Sequence, residues 1–213
     1  YPMVPGHEII GIVKEVGSDV SKFKVGDNVG VGVYVDACEK CENCNSGKDH
    51  YCEEGIVLTY NSYEYGTRNI TYGGYSKSIV VKENYVIKVP SDMDMAKAAP
   101  LLCAGITTYS PLRHFKINSN HKVGIAGLGG LGHMGLKFAS SFGADVVVFS
   151  TSDSKKDEAF EMGANHFVNV NNREDIKNHL NSCDYILDTV SASLSHKAAS
   201  IVPEPGMIIQ SNK

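Results

Sequence analysis

Four cysteines, Cys38, Cys41, Cys44 and Cys52, follow one another as C-x2-C-x2-C-x7-C in a short polar stretch. Thiolates at two-residue spacing let the backbone wrap a single ion, and tetrahedral Zn²⁺ takes four sulfurs at about 2.3 Å. The intervening Glu39, Lys40, Glu42, Asn43, Asn45, Ser46 and Gly47 suit an exposed loop. Two other chemistries compete. An iron–sulfur cluster is opposed by the fourth cysteine, which no proline follows, and by the lack of a second cluster motif. A pair of disulfides is opposed by the cytosolic character of the rest of the chain, since disulfides rarely persist there. A structural zinc on these four cysteines is therefore expected.

A second constellation is Gly127-Leu128-Gly129-Gly130-Leu131-Gly132, a G-x-G-x-x-G run between an expected strand and an expected helix. Gly127 permits a tight turn, Gly129 lets a pyrophosphate approach the backbone, and Gly132 allows the helix to pack close to the sheet. The helix N-terminus adds free N–H groups and the positive end of its dipole. Alone, the glycines could be a turn without a ligand; the order strand, glycines, helix, strand favours a dinucleotide. An NAD site normally carries Asp or Glu about 20 residues further on, to hold the ribose 2′-OH. Here the second strand ends in Ser150-Thr151-Ser152, followed by Lys155 and Lys156. Hydroxyls and ammonium groups suit a 2′-phosphate, so NADP(H) is expected over NAD(H). Asp153 dissents, because it could serve an NAD ribose; its alternative role is the N-cap of the following helix.

The elements that must carry these residues fall into two textures. From Ile9 to about Val89 the chain shows short β-rich runs, at 9–16, 25–35, 75–81 and 85–89, as in a compact all-β domain. From about Lys122, strands at 122–126, 146–150, 166–170, 184–188 and 207–210 alternate with helices at 131–142, 153–162, about 175–180 and about 195–201. That alternation means βαβ units and a parallel sheet. Residues 95–115 read as two short helices joining the halves. With 213 residues, a net charge of −4 and 42% hydrophobic residues, the chain is a globular protein of one or two domains. Scattered, outnumbered Lys and Arg exclude a nucleic-acid surface. No apolar run approaches the roughly 20 residues of a membrane span. No signal peptide opens the chain, and a cytoplasmic location is expected. It begins on Tyr1, mid-motif, and reads as a fragment.

Gly6-His7-Glu8 completes the pattern. The stretches Pro5 to Gly11, the four-cysteine lobe, Gly73-Gly74-Tyr75-Ser76, Pro100 to Leu112 and Gly127 to Gly135 occur in an order and at distances that resemble the zinc-dependent medium-chain alcohol dehydrogenases. Within them the chain is similar to the cinnamyl alcohol dehydrogenase-like, NADP-dependent aldehyde reductases. The resemblance implies an α/β architecture: a partial GroES-like, β-rich catalytic domain over 1–103 and a partial Rossmann domain, a doubly wound parallel sheet, over 104–213. It implies a catalytic zinc on His7 and Cys103 with Glu8 as alternating ligand. A further cysteine and a proton-relay hydroxyl are implied upstream of Tyr1. A further strand and a return to the catalytic domain are implied downstream, and Gln210 to Lys213 departs from the family's usual continuation. Thr107 and Thr189 match cofactor-contacting positions. The implied reaction is hydride transfer between NADP(H) and a primary alcohol or aldehyde, with zinc as Lewis acid, in a parent that forms homodimers. A zinc-stabilised inactive scaffold and a polyol dehydrogenase are the alternatives. Taken alone, His7 would read as a structural histidine, Cys103 as a small buried hydrophobe, and Cys183 as plain core.

Overall fold

In a computed structural model the described residues are 2–190 and 207–210. They form two compact units, Tyr1–Cys103 and Ala104–Lys213.

The first unit is built on short antiparallel pairings. Strands β1 (Ile9–Ile12) and β2 (Asn28–Val31) pair antiparallel with Ile9 opposite Val31, and β2 also pairs with β5 (Val86–Lys88). A separate ribbon joins β3 (Tyr34–Asp36) to β4 (Val57–Leu58). Between them lie a single turn of helix, α1 (Glu42–Asn45), and a 3-10 turn at Asp49–Tyr51. The strand expected over 25–35 is thus broken in two at Gly32-Val33. The strand expected over 75–81 does not form, and that stretch runs as bends and extended coil. The residues leading into it bond elsewhere: the N–H groups of Gly73, Gly74 and Tyr75 donate to the carbonyls of Val4, Gly6 and Pro5 at 2.7, 2.9 and 3.0 Å. The unit closes with α2 (Met95–Ala98), whose N-cap Asp94 accepts from the N–H groups of Ala96 and Lys97, and a 3-10 turn at Ala99–Leu102 led by Pro100.

The second unit begins with α3 (Ala104–His114), which packs against α4 (Gly130–Ser141). Its sheet comprises β6 (Lys122–Ala126), β7 (Asp145–Ser150), β8 (His166–Asn169), β9 (Tyr185–Asp188) and β10 (Met207–Gln210), all parallel, in the order β10-β9-β6-β7-β8. Helices α5 (Lys156–Glu161) and α6 (Arg173–Asn178) follow β7 and β8. The helix expected near 195–201 lies outside the described residues. Both faces of the sheet are covered. Val146 and Val148 of β7 pack with Ile125, Leu136 and Leu187, whereas Val147 and Phe149 pack with Val168, Cys183 and Ile186. Period-2 alternation thus sends apolar side chains to both sides, as a parallel sheet between helix layers requires. The chain winds outward from β6 through β7 and β8, then restarts at β9 on the other side. The carboxyl ends of β6 and β9 therefore flank the crevice where open α/β sheets bind ligands. No described helix is long and apolar enough to cross a membrane.

Candidate metal and dinucleotide sites

The ligand atoms of Cys38, Cys41, Cys44 and Cys52 all lie within 4.8 Å of one another. Cys38 Sγ and Cys44 Sγ are 3.8 Å apart, close to the roughly 3.8 Å edge of a tetrahedron with about 2.3 Å zinc–sulfur bonds. The backbone helps to hold charge there. Cys38 N donates to Cys52 Sγ at 3.4 Å and Cys41 N to Cys38 Sγ at 3.3 Å. N–H groups of Glu53 and Cys44 draw the Cys41 thiol down to about 7, while desolvation and the neighbouring Cys41 push Cys44 up. Four converging thiols share protons because they cannot all ionise without a cation between them. Tyr65 braces the lobe: its hydroxyl donates to Gly55 O and sits 3.9 Å from Cys52 Sγ. The donor set fits Zn²⁺.

A second pair of ligand types meets outside that lobe. His7 Nε2 lies 3.2 Å from Cys103 Sγ, across 96 residues of sequence. A tetrahedral ion holding one imidazole and one thiolate sets them about 3.5 Å apart, so the pair also fits a metal. Burial, and then the Glu8 carboxylate, raise the Cys103 thiol above its ordinary range. Glu8 itself is exposed. The positioning is local. Gly6 takes φ +109°, and a Cβ at Gly73 would overlap the Gly6 carbonyl and lie 2.8 Å from that of Pro5. Only glycine lets the two segments close on each other. Tyr60 stacks on the His7 ring at 5.9 Å and 16°. At Gly30 a Cβ would meet Leu102 at 3.0 Å, so β2 closes on the 3-10 turn that delivers Cys103. Next to His7 is a cavity of about 410 Å³ lined by Pro5, Glu8, Tyr60 and Tyr75 among others.

In the second unit the glycine run follows β6 directly. Gly127 takes φ +85°, with a Val190 methyl 2.6 Å from where its Cβ would be. Gly129 and Gly130 are exposed and meet nothing, which leaves backbone open to a ligand, whereas Leu128 is buried and Leu131 half-buried. At Gly132 a Cβ would overlap the Gly127 carbonyl just after β6 and lie 3.3 Å from Thr189 Oγ1 just after β9, so this glycine lets the start of α4 close on the strand ends. A further close approach of helix to sheet comes at Gly135, where a Cβ would lie 2.7 Å from a Leu187 methyl. Thr189 Oγ1 donates to Ala126 O at 2.7 Å and holds the turn from the end of β9. Thr107 is half-buried on α3.

The turn after β7 differs in detail from expectation. Ser152, not Asp153, is the N-cap, accepting from Ser154 N at 3.2 Å. Asp153 instead accepts from the Asn169 side-chain amide at 2.9 Å. Thr151 and Ser152 are exposed, but Ser150 is buried and its hydroxyl is turned within the loop onto Ser152 O. Lys155 Nζ donates to Leu128 O at 2.7 Å, tying this loop to the glycine turn.

The sequence profile of the alcohol dehydrogenase GroES-like domain matches residues 1–91, and that of the zinc-binding dehydrogenase domain matches residues 130–210. The chain belongs to the zinc-dependent medium-chain alcohol dehydrogenases. It is 52% identical over 196 residues to NADP-dependent alcohol dehydrogenase C 1 of Mycolicibacterium smegmatis, covering 91% of this chain and 56% of that protein. A cinnamyl alcohol dehydrogenase of Sorghum bicolor superposes with a TM-score of 0.93 at 41% identity, over 100% of this chain and 62% of the other. The cinnamyl alcohol dehydrogenase of Helicobacter pylori, solved with NADP(H), superposes with a TM-score of 0.91 at 43% identity, over 99% and 59%. The chain spans about half the length of the curated relatives it matches. The α/β reading, a GroES-like part and a Rossmann part, is that of this dehydrogenase family.

Several residues that shape these sites gave no functional signal in the sequence. Tyr60 is one of many tyrosines, and Gly73 and Gly74 stood only as part of a resemblance. Their effects depend on contacts made across long sequence separations.

Proposed function

We propose that this chain is the zinc- and dinucleotide-bearing part of an NADP(H)-dependent alcohol dehydrogenase that interconverts a primary alcohol and its aldehyde. The observation that carries the reading is the meeting of His7 Nε2 and Cys103 Sγ at 3.2 Å. An imidazole and a thiol, both donor types that zinc takes, meet there beside a cavity, outside the four-cysteine lobe. Zinc held there would act as a Lewis acid on the substrate oxygen, and NADP(H) would carry the hydride. His7 and Cys103 are ligands in this reading, with Glu8 as the carboxylate able to exchange onto the ion. Tyr60 fixes the His7 ring plane, and the Gly73-Gly74 backbone fixes its loop. Cys38, Cys41, Cys44 and Cys52 hold a separate, closed zinc that supports the lobe.

On the dinucleotide side, Gly127 to Gly132 present the turn and helix start to the diphosphate, with Leu128 and Leu131 as its apolar anchors. Thr189 braces the turn and Thr107 flanks the cofactor. Thr151, Ser152 and Lys155 face the adenosine 2′-phosphate, with Ser150 shaping their loop. NADP(H) is preferred on the charge of that loop, and the NADP named for a relative and for a solved structure supports this. Zinc-bound thiolates rather than disulfides suit a reducing compartment, which supports a cytoplasmic setting, and the family resemblance supports a homodimeric parent.

The test is aldehyde-dependent NADPH oxidation by the zinc-loaded chain, alone and joined to the upstream segment of a cinnamyl alcohol dehydrogenase. The joined chain is expected to turn over, and His7→Ala or Cys103→Ala is expected to abolish turnover while the four-cysteine zinc stays bound. Undiminished turnover in either variant would refute the ligand assignment.

A further inference from the structure

Within residues 151–155 the only carboxylate is that of Asp153. It lies about 20 residues past Gly132, where an NAD site places the acid that holds the ribose 2′-OH. The structure turns it aside. Asp153 Oδ2 accepts from Asn169 Nδ2 at 2.9 Å, and Asn169 is the last residue of β8, the strand beside β7. We propose that Asn169 is a positioning residue for cofactor choice: by holding the Asp153 carboxylate against the end of β8, it leaves Thr151, Ser152 and Lys155 to the 2′-phosphate and sustains a preference for NADPH over NADH. The proposal rests on the dinucleotide reading above.

Three observations support it. The amide has one way round, because Asn171 N donates to Asn169 Oδ1 at 3.0 Å. A backbone N–H can only donate, so the amide oxygen faces Asn171 and the NH2 group is left for the carboxylate. Next, Asn169 is a fixed point. It stands opposite Ser150 in the parallel pairing of β7 with β8, and the following Val170 N donates to Ser150 O at 2.9 Å. Asn169 is half-buried there, whereas Asp153 is exposed, so the strand end is the anchor and the acid is what it holds. Finally, a second asparagine straps the same loop: Asn171 Nδ2 donates to Thr151 O at 2.9 Å. Asn169 and Asn171 together set the course of residues 151–153 from the β8 side, while Lys155 ties the far end of the loop to Leu128 O.

The direction of the effect follows from the chemistry of the two riboses. A 2′-phosphate is repelled by a carboxylate turned toward it, whereas the free 2′-OH of an NAD ribose can donate to one. Truncating Asn169 frees the Asp153 side chain to rotate toward the ribose, which penalises NADPH and not NADH. The loss of NADPH affinity should be about three- to fivefold, the size of one exposed charge interaction. Removing the carboxylate should cancel the effect, because Asn169 then has nothing to hold away.

The test titrates NADPH and NADH into the zinc-loaded chain, Asn169→Ala, Asp153→Asn and the double variant by nicotinamide fluorescence at one ionic strength, with the melting temperature of each as a check on folding. Asn169→Ala should lower the ratio of NADPH to NADH affinity by about three- to fivefold, and Asn169→Leu, similar in size and without the amide, should do the same. Asp153→Asn should leave the ratio unchanged or raised, and the double variant should match Asp153→Asn. An asparagine that merely supported the strand end would weaken both cofactors together, whatever stands at 153, and the ratio would hold. An unchanged ratio in Asn169→Ala and Asn169→Leu, or a fall that persists in the double variant, would overturn the proposal while leaving the dinucleotide site in place. Equal or tighter binding of NADH by the unmodified chain would overturn it together with the NADP(H) assignment. Failure of every chain to bind either cofactor would overturn the dinucleotide reading and the proposal with it.

Discussion

Replacing Gly132 by Ala should damage the dinucleotide site far more than its one added methyl suggests. The new Cβ would overlap the Gly127 carbonyl oxygen and lie 2.9 Å from its carbon. Ordinary carbon–oxygen contacts are about 3.3–3.6 Å, so the carbonyl must retreat by on the order of 1 Å. It cannot do so freely. Gly127 is fixed at φ +85° with a Val190 methyl and Thr189 Oγ1 against it, and Gly127 N donates to Phe149 O at 2.9 Å. Overpacking of this kind costs about 1–3 kcal/mol, or roughly 4–8 °C in melting temperature per kcal/mol for a domain near this size. A shift of about 1 Å in a binding constellation costs on the order of 100-fold, so NADPH affinity should fall by about that factor. Calorimetry and fluorescence titration read the two effects separately. Gly130→Ala is the control, because nothing lies within 4 Å of its Cβ, and it should leave the melting temperature unchanged or slightly raised. Gly132→Ala with unchanged melting temperature and unchanged NADPH affinity would refute this account of the turn.

Cys44→Ser should release the lobe zinc and destabilise the first unit, read as one fewer zinc per chain by metal analysis and increased protease sensitivity around residues 38–52. Lys155→Glu should erase the preference for NADPH over NADH, because a carboxylate would face the 2′-phosphate and the strap to Leu128 O would be lost; competition titration measures it. Cys183 is buried, and desolvation raises its thiol from 9.0 to about 11. The folded state therefore keeps a proton that the unfolded chain releases, so this contribution is complete below about 9 and is lost as pH rises to about 11. Alkaline denaturation should be steeper for the unmodified chain than for Cys183→Ala, and alkylation after chelation should label the lobe cysteines before Cys183.

The parallel sheet was legible because its signals are local. Val146-Val-Val-Phe149 is a continuous apolar run, β6 and β10 fall where their patterns place them, and the glycine run sits at the strand-to-helix junction. The first unit was less so. Its strands are two to four residues long, too short to show periodicity, and the stretch 75–81, with Tyr75, Ile79, Val80 and Val81, reads as a strand yet takes no strand partner among the described residues. Its preceding glycines are spent on holding residues 4–6. The four-cysteine lobe was readable from spacing alone, because its ligands lie within a few residues of one another. The His7 and Cys103 pair was not: the two are 96 residues apart, and only a family resemblance joined them. Lys155 was read from its charge as a partner of the 2′-phosphate; its bond to Leu128 O depends on the crossover from β7 to α5, which no local pattern reveals.

The most direct test of the central claim is the ratio of NADPH to NADH dissociation constants for the zinc-loaded 213-residue chain, measured by nicotinamide fluorescence at fixed ionic strength. A zinc dehydrogenase chain with Thr151, Ser152 and Lys155 at the ribose should bind NADPH at least tenfold more tightly, about the effect of one charge-assisted phosphate contact of roughly 1.5 kcal/mol. Equal or tighter binding of NADH would contradict the cofactor assignment and transfer the ribose to Asp153, and no binding of either would contradict the dinucleotide site altogether.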